Sequence, residues 1–383
     1  MTAMNTQTPF VPGRLEQMST RIAFFIAGFG IAAWAPLVPY AKARAGLDDA
    51  TLGLLLLCLG AGSILAMPIS GVLATRYGCR RVFSAGTLLI CLALPLLATV
   101  SSVPLLIATL FLFGAGLGAV DSTVNLQAVI VERASGRTMM SGFHGLFSVG
   151  GIAGAAGVSA LLALGLTPLW AIMVVIVLIL AALIKAAPHL LPYGSESNGP
   201  AFAVPHGVVL FIGLLCFVVF LAEGSMLDWS AVFLTADKQI DEAYAGLGYA
   251  AFALTMTVGR LLGDTIVSRL GARRVIVLGG LFAAAGLVLA TLAASWQVAL
   301  VGYGLVGIGC SNIVPVLYTA VGKQTLMPMS IAVPAITTLG YAGILAGPAA
   351  IGFIAHASSL STAFLLIATL LVAVAISGRI LRV

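Results

Sequence analysis

Residues 71–81 read Gly71-Val-Leu-Ala-Thr75-Arg76-Tyr-Gly78-Cys-Arg80-Arg81, and residues 264–274 read Asp264-Thr-Ile-Val-Ser268-Arg269-Leu-Gly271-Ala-Arg273-Arg274. The two stretches stand 193 residues apart and place arginine, glycine and an arginine pair at the same spacing. The offset holds beyond them. Val82 and Gly86 meet Val275 and Gly279, Gly114 and Gly116 meet Gly307 and Gly309, and Gly150 and Gly154 meet Gly343 and Gly347. Any one match is weak, but several regions at one offset indicate a duplicated unit.

Both arginine loops sit between long apolar runs. Of 383 residues, 61% are hydrophobic and only 8% are charged, against about 25% charged in a soluble domain. A soluble chain of this size cannot hide so much apolar surface, and disorder has the opposite signature. Lipid is the remaining solvent. A spanning helix needs about 20 apolar residues. Such segments fall near 20–42, 50–75, 81–101, 104–132, 138–164 and 168–188, then 207–235, 243–269, 274–294, 297–322, 329–355 and 360–380. The expected fold is an all-α membrane protein of twelve transmembrane helices in two pseudo-twofold related six-helix bundles. A mobile tail is expected over 1–19, bundles over 20–188 and 207–383, and a Pro-, Gly- and Ser-rich cytoplasmic linker over 189–206.

The few basic residues sort by side. Fourteen, from Arg14 and Arg21 through the two arginine loops to Arg379 and Arg382, fall on one face, whereas Lys42, Arg44 and Lys238 fall on the other. The positive-inside rule then puts both termini in the cytoplasm. The first segment is too long for a signal peptide, and a bacterial inner membrane is the expected location. Cys58, Cys79, Cys91, Cys216 and Cys310 form neither a disulfide framework nor a metal cluster. No phosphate loop occurs, so ATP is not expected as a partner. The basic balance fits cytoplasmic loops rather than nucleic acid. Gly302-Tyr-Gly304-Leu-Val-Gly307 fits a dinucleotide fingerprint literally, but it lies inside an apolar helix with no strand before it. No cofactor and no metal are expected, and a monomer is.

The loop 71–81 resembles the major facilitator superfamily signature G-x-x-x-D-[RK]-x-G-x-[RK]-[RK]. Thr75 and, in the copy, Ser268 stand where that family has Asp. Five further motifs are similar to the fucose-permease-like bacterial transporters: Asp121-Ser-Thr-Val-Asn125, Phe143-His144-Gly-Leu-Phe-Ser148, Ala222-Glu223-Gly-Ser-Met-Leu-Asp228-Trp229, Ser311-Asn312-Ile-Val-Pro315-Val-Leu-Tyr318 and Thr337-Thr338-Leu-Gly-Tyr341. The resemblance implies the twelve-helix fold and transport by alternating access. It also implies a gating role for Gly71, Arg76, Gly78, Arg80 and Arg81 and for Arg269, Arg273 and Arg274. Topology anchoring is the alternative role for the arginines.

Asp121, Glu223, Asp228, Arg260 and Asp264 fall within helices, where a charge is costly and must face water or a partner. Asp121 and Asn125, four apart, share a helix face. Asp121, Glu223 and His144 are the candidates for proton coupling. The resemblance places an acid at Asp121 and a second on the first segment. This chain has none on the first segment, which leaves the second role to Glu223. Glu223 and Asp228 point about 140° apart on a regular helix, so they are not a pair; Gly224 can loosen the helix between them. Arg260 and Asp264 can form an ion pair at four residues. Asp228, Arg260 and Asp264 are assigned to the gates. Trp34, Asn125, Gln127, Tyr249, Asn312, Tyr318, Thr338 and Tyr341 are candidates for binding a polar solute, bridging between helices being the alternative.

The leading expectation is a secondary transporter that moves a small polar solute with protons. Export of amphipathic compounds is the alternative. The antiporters' G-P motif is absent from the fifth segment, which carries Gly150, Gly151, Gly154 and Gly157, while Gly347-Pro348 lies on the eleventh. An intramembrane enzyme would need paired catalytic groups or metal ligands, and no such spacing appears.

Overall fold

The computed structural model describes residues 12–195, 204–241 and 244–380. The first half contains α1 (Arg14–Ala32), α2 (Val38–Ala45), α3 (Asp49–Thr99), α4 (Val103–Ser135), α5 (Met140–Ala163) and α6 (Pro168–Ala186). The second contains α7 (Gly207–Ala236), α8 (Leu247–Leu261), α9 (Gly263–Leu270), α10 (Ala272–Leu292), α11 (Trp296–Cys310), α12 (Ile313–Lys323), α13 (Met329–Ala357) and α14 (Leu360–Ser377).

Among the described residues ten helical runs are long and apolar enough to cross a membrane, and α8 with α9, bent by 62°, makes an eleventh. The twelfth is hidden in α3. Its 51 residues would run about 76 Å, over twice an apolar bilayer core of about 30 Å. Gly78, at φ 83° and ψ 157°, breaks it into two spans. Its repeat mate Gly271 turns α9 into α10 at φ 80° and ψ 152°. Both arginine loops are therefore the same glycine-made reversal, in a backbone region that only glycine visits freely.

Polar residues start the spans. Asp48 Oδ1 accepts the Thr51 N–H at 2.7 Å and caps α3; that amide bond holds the Asp48 carboxyl below its usual range. Ser102 caps α4 and Ser359 caps α14. At the opposite end of α4, Gly136 closes the helix in the left-handed conformation. Helix α1 begins at Arg14, inside the tail expected to be mobile over 1–19, because the Gly13 N–H donates to Glu16 Oε2 at 2.7 Å. Residues 1–11 of that tail, residues 196–203 of the linker and Arg382 lie outside the described residues.

Small residues set the packing, as expected where lipid removes the hydrophobic drive between helices. Side chains at Gly150 and Gly154 would collide with the Phe25 and Phe29 carbonyls of α1. In the second half, a side chain at the mate Gly343 would collide with the Phe217 carbonyl of α7, and Gly347 lies against Leu221 there. Gly302 and Gly307, from the apparent dinucleotide fingerprint, bring α11 against α10 and α8.

The linker is not loose where it starts. Leu190 and Leu191 are buried. The Arg80 N–H donates to the Leu191 carbonyl at 2.8 Å, and the Cys79 N–H donates to the Tyr193 carbonyl at 3.2 Å. Residues 187–195 thus form a strap across the Gly78 turn. Tyr193 is half-buried there, and burial raises its phenol above the usual value.

Candidate functional site

The second half breaks two of its spans where the first half runs straight. Helix α11 gives way to α12 at Ser311 and Asn312. Pro315 lies four residues after Ser311 and has no N–H, so the Ser311 carbonyl lacks its helical partner. Helix α8 gives way to α9 at Leu262, and Gly263 meets Asn312 and Ser141 so closely that a Cβ there would collide with the Asn312 side chain. Arg260 sits between these two breaks.

The Arg260 guanidinium, 5% exposed, uses all three of its nitrogens. Nη2 donates to Glu223 Oε1 at 3.1 Å and Oε2 at 3.3 Å. Nε donates to the orphaned Ser311 carbonyl at 3.3 Å. Nη1 reaches into the first half and donates to Ser148 Oγ at 3.1 Å. A desolvated charge needs this degree of partnering. The expected Arg260–Asp264 ion pair does not form. The 62° bend between α8 and α9 carries Asp264 off the face of Arg260, so the four-residue rule of a straight helix does not apply. Asp264 instead accepts the Gly142 N–H of α5 through Oδ1 at 3.1 Å.

Asp121 lies at the middle of α4. Asn125 Nδ2 donates to Asp121 Oδ1 at 3.3 Å, as the shared face predicts, and to the Asp121 carbonyl at 2.9 Å. Asp121 has no ion-pair partner among the described residues. His144 on α5 lies between Phe24 of α1 and Tyr318 of α12, with ring centroids at 5.2 and 5.5 Å. The imidazole is therefore in contact with aromatic rings from both halves of the protein. Trp34 Nε1, Asn125 Oδ1, His144 Nε2 and Asn312 Oδ1 are buried without a hydrogen-bond partner.

Other candidates part company. Tyr318 OH pairs with Thr337 Oγ1 at 2.7 Å, not with Thr338, whose hydroxyl donates to Pro334 of its own helix at 2.8 Å. Asn312 Nδ2 donates to the Gly259 carbonyl at 3.0 Å. Tyr341 is half-buried on α13. Tyr249, near the start of α8, is 37% exposed and packs on Phe252. Gln127 is spent on structure: Nε2 donates to Thr20 Oγ1 at 2.9 Å, and Oε1 accepts the Leu191 N–H of the strap at 3.0 Å. Both ends of its amide are occupied, so it is not free for a solute. Trp34 stands at the α1–α2 break, where Pro36 interrupts the first span. Helix α7 is continuous through Gly224, and Asp228 is exposed, so Glu223 and Asp228 diverge as expected.

The gate motif is also redistributed. Arg80 does not reach the other half. It donates through Nε to the Leu190 carbonyl at 3.0 Å and through Nη2 to the Pro188 carbonyl, so it holds the strap. Arg76 lies over Tyr77. Arg81, Arg269, Arg273 and Arg274 are exposed. Gly71 does face the second half, against the Ser330 carbonyl and Pro334 of α13. Sequence reasoning quoted Ser148, Ser311 and Thr337 within motifs but gave them no role, and it missed Glu132. Only Pro315, which frees a carbonyl at Ser311, was a legible signal.

The family profile described as Major Facilitator Superfamily matches residues 21–234 and 212–383. An uncharacterized MFS-type transporter of Yersinia pestis is 58% identical over 369 residues, covering 96% of each chain. The membrane protein MosC of Rhizobium meliloti is 31% identical, covering 93% of this chain and 88% of its own. The fold is shared with the E. coli fucose:proton symporter FucP, at TM-score 0.80 and 16% identity over 95% of this chain and 98% of that one. It is also shared with the human organic anion transporter MFSD10, at TM-score 0.75 and 15% identity over 95% and 99%. The chain belongs to the major facilitator superfamily. It is a multi-pass membrane transporter of small molecules and not an enzyme.

Proposed function

We propose that this chain is a proton-coupled symporter that carries a small polar, sugar-like solute across a bacterial inner membrane by alternating access. One observation carries the proposal. Arg260 is neutralised by Glu223 across its own half, while Asp121, at the middle of α4, has no counter-cation among the described residues. A carboxylate in such a place is costly, and a proton is the simplest group that neutralises it. Glu223 is the second coupling acid, since its charge is bound to the arginine that reaches Ser148 across the seam. His144, in tilted ring contact with both halves, completes the set.

The solute class follows from the unpartnered polar atoms. Trp34 Nε1 is a donor, Asn125 Oδ1 is an acceptor, and His144 Nε2 can be either. Hydroxyl groups satisfy such a mixture, and aromatic rings at Trp34, Tyr341 and Tyr249 offer faces for a sugar ring. In this reading the arginine face is cytoplasmic, and the halves 20–188 and 207–383 rock about the site, joined by the linker 189–206. The halves touch at the arginine face, through Gly71 with Ser330 and through Gly142 with Asp264. The state is therefore closed on the arginine face, and in this reading the working unit is a monomer.

The test is solute-dependent proton movement in proteoliposomes. Asp121→Asn is expected to lower proton flux about 100-fold, the scale of a lost proton-transfer group, with solute binding kept. Proton flux unchanged in both Asp121→Asn and Glu223→Gln would sink the coupling assignment. A stabilisation screen with sugars, sugar acids and amphipathic compounds identifies the solute, because binding raises apparent stability by mass action.

A further inference from the structure

Thr75, Arg76 and Arg80 of the first gate motif do not themselves fasten the seam. The Thr75 hydroxyl donates to Gly71 of its own helix at 3.1 Å. Arg80 is taken by the strap, and Arg76 lies over Tyr77. The bonds between the halves at this face gather instead around the start of α5, whose amides also fix a carboxylate of their own half. The Met139 and Met140 N–H groups both donate to Glu132 Oε2 at 2.7 Å. The Gly142 N–H donates to Asp264 Oδ1, and the Thr138 hydroxyl donates to the Asp264 carbonyl at 3.1 Å. Free amides at a helix start favour anions. Here two carboxylates share one start, Glu132 from the first half and Asp264 from the second.

Glu132 is 7% exposed and does one thing more. Its other oxygen, Oε1, accepts the hydroxyl of Thr319 on α12, in the second half. Close approach of the same two helices one turn further on holds Thr319 in place: a Cβ at Gly322 would stand 2.6 Å from Val129 of α4. The two amide bonds to Glu132 are local to the α4–α5 turn and survive any movement of the halves. The bond to Thr319 spans 187 residues and does not survive separation.

We propose that Glu132 is the latch of this gate and Thr319 the catch. The first half presents a carboxylate fixed by Met139 and Met140, and the second half closes on it with a hydroxyl. The latch thus replaces the charged aspartate that Thr75 displaces from the family motif. Its role in transport rests on the alternating-access reading above, but its existence does not.

The experiment keeps Glu132 and removes the catch, so that the cap of α5 stays intact. Spin labels at Arg133→Cys and Lys323→Cys, both exposed at the ends of α4 and α12, report separation of the halves in nanodiscs. Cys58→Ser provides the background. Thr319→Val is expected to raise the ratio of separated to closed populations about tenfold or more, the worth of a hydrogen bond to a charged group. Thr319→Ser is expected to restore the wild-type ratio. A Thr319→Val distribution that does not shift, or a Thr319→Ser that behaves like valine, overturns the latch. A wild-type distance that never responds to solute or protons counts against alternating access, while a shift in Thr319→Val still upholds the latch.

Discussion

On the face opposite the arginine loops, Arg44 of the first half and Lys238 of the second do the same work. Arg44 donates to the carbonyls of Leu97 at 2.8 Å and Val100 at 2.9 Å, closing the end of α3. Lys238 donates to the carbonyls of Thr291 at 2.9 Å and Ala293 at 2.6 Å, closing the end of α10. Val100 and Ala293 are repeat mates. A cation at a helix end favours the free carbonyls. Elsewhere the halves diverge, and every intramembrane charge lies at such a divergence. The mates of Arg260, Glu223, Asp121 and Asp264 are Met67, Gly30, Val314 and Gly71. The second half breaks two spans around Arg260, where the first half runs straight through Met67. Positions that the duplication preserved hold the scaffold together. Positions where the copies departed from each other hold the candidate chemistry.

The sharpest way to break this comparison is at the unshared pair. Glu223→Gln leaves Arg260 buried without its carboxylate and is expected to cost about 3–5 kcal/mol of stability. Glu223→Gln with Arg260→Met is expected to recover most of that loss while proton-coupled flux stays absent. Thermal unfolding in detergent, read beside proteoliposome flux, checks both. A double variant no more stable than the single would show that the pair does not act as a unit.

The shared turns give a smaller, graded contrast. Gly271→Ala carries only backbone strain, since its φ is 80° and nothing lies within 4 Å of a Cβ; about 1–3 kcal/mol is expected. Gly78→Ala carries the same strain and a collision with the Pro192 carbonyl of the strap. The melting temperature should therefore fall further for Gly78→Ala. Equal losses would mean that the strap does not bind the turn. The smallest effect is expected at the shared caps. Arg44→Met and Lys238→Met should each cost about 1 kcal/mol or less, and by similar amounts. Unequal melting shifts would show that the duplication did not preserve the cap.

Much of the site was legible where an interaction is local. Asp121 and Asn125 meet because four residues make one turn, and Glu223 and Asp228 diverge because five do not. The same rule failed for Arg260 and Asp264, since a helix break lay between them and its cause, close packing of Gly263 on Asn312, is a tertiary contact. Gln127 and Arg80 looked available because nothing along the chain announces that residues 188–191 fold back onto them. Glu132 went unnoticed for a related reason. It sits at a helix end among basic residues, as a solvated charge would, and only packing buries it.

By itself the sequence determined the solvent, the number of spans, the duplication and the short roster of intramembrane charges. Those follow from composition and from periods along one chain, which need no partner to be read. Only the tertiary structure decided which charge meets which. Arg260 finds Glu223 across 37 residues, Thr319 finds Glu132 across 187, and Arg80 finds the strap across 108. A desolvated polar group takes whichever partner packing brings within reach, and packing is set by helix breaks and glycine contacts that act through space.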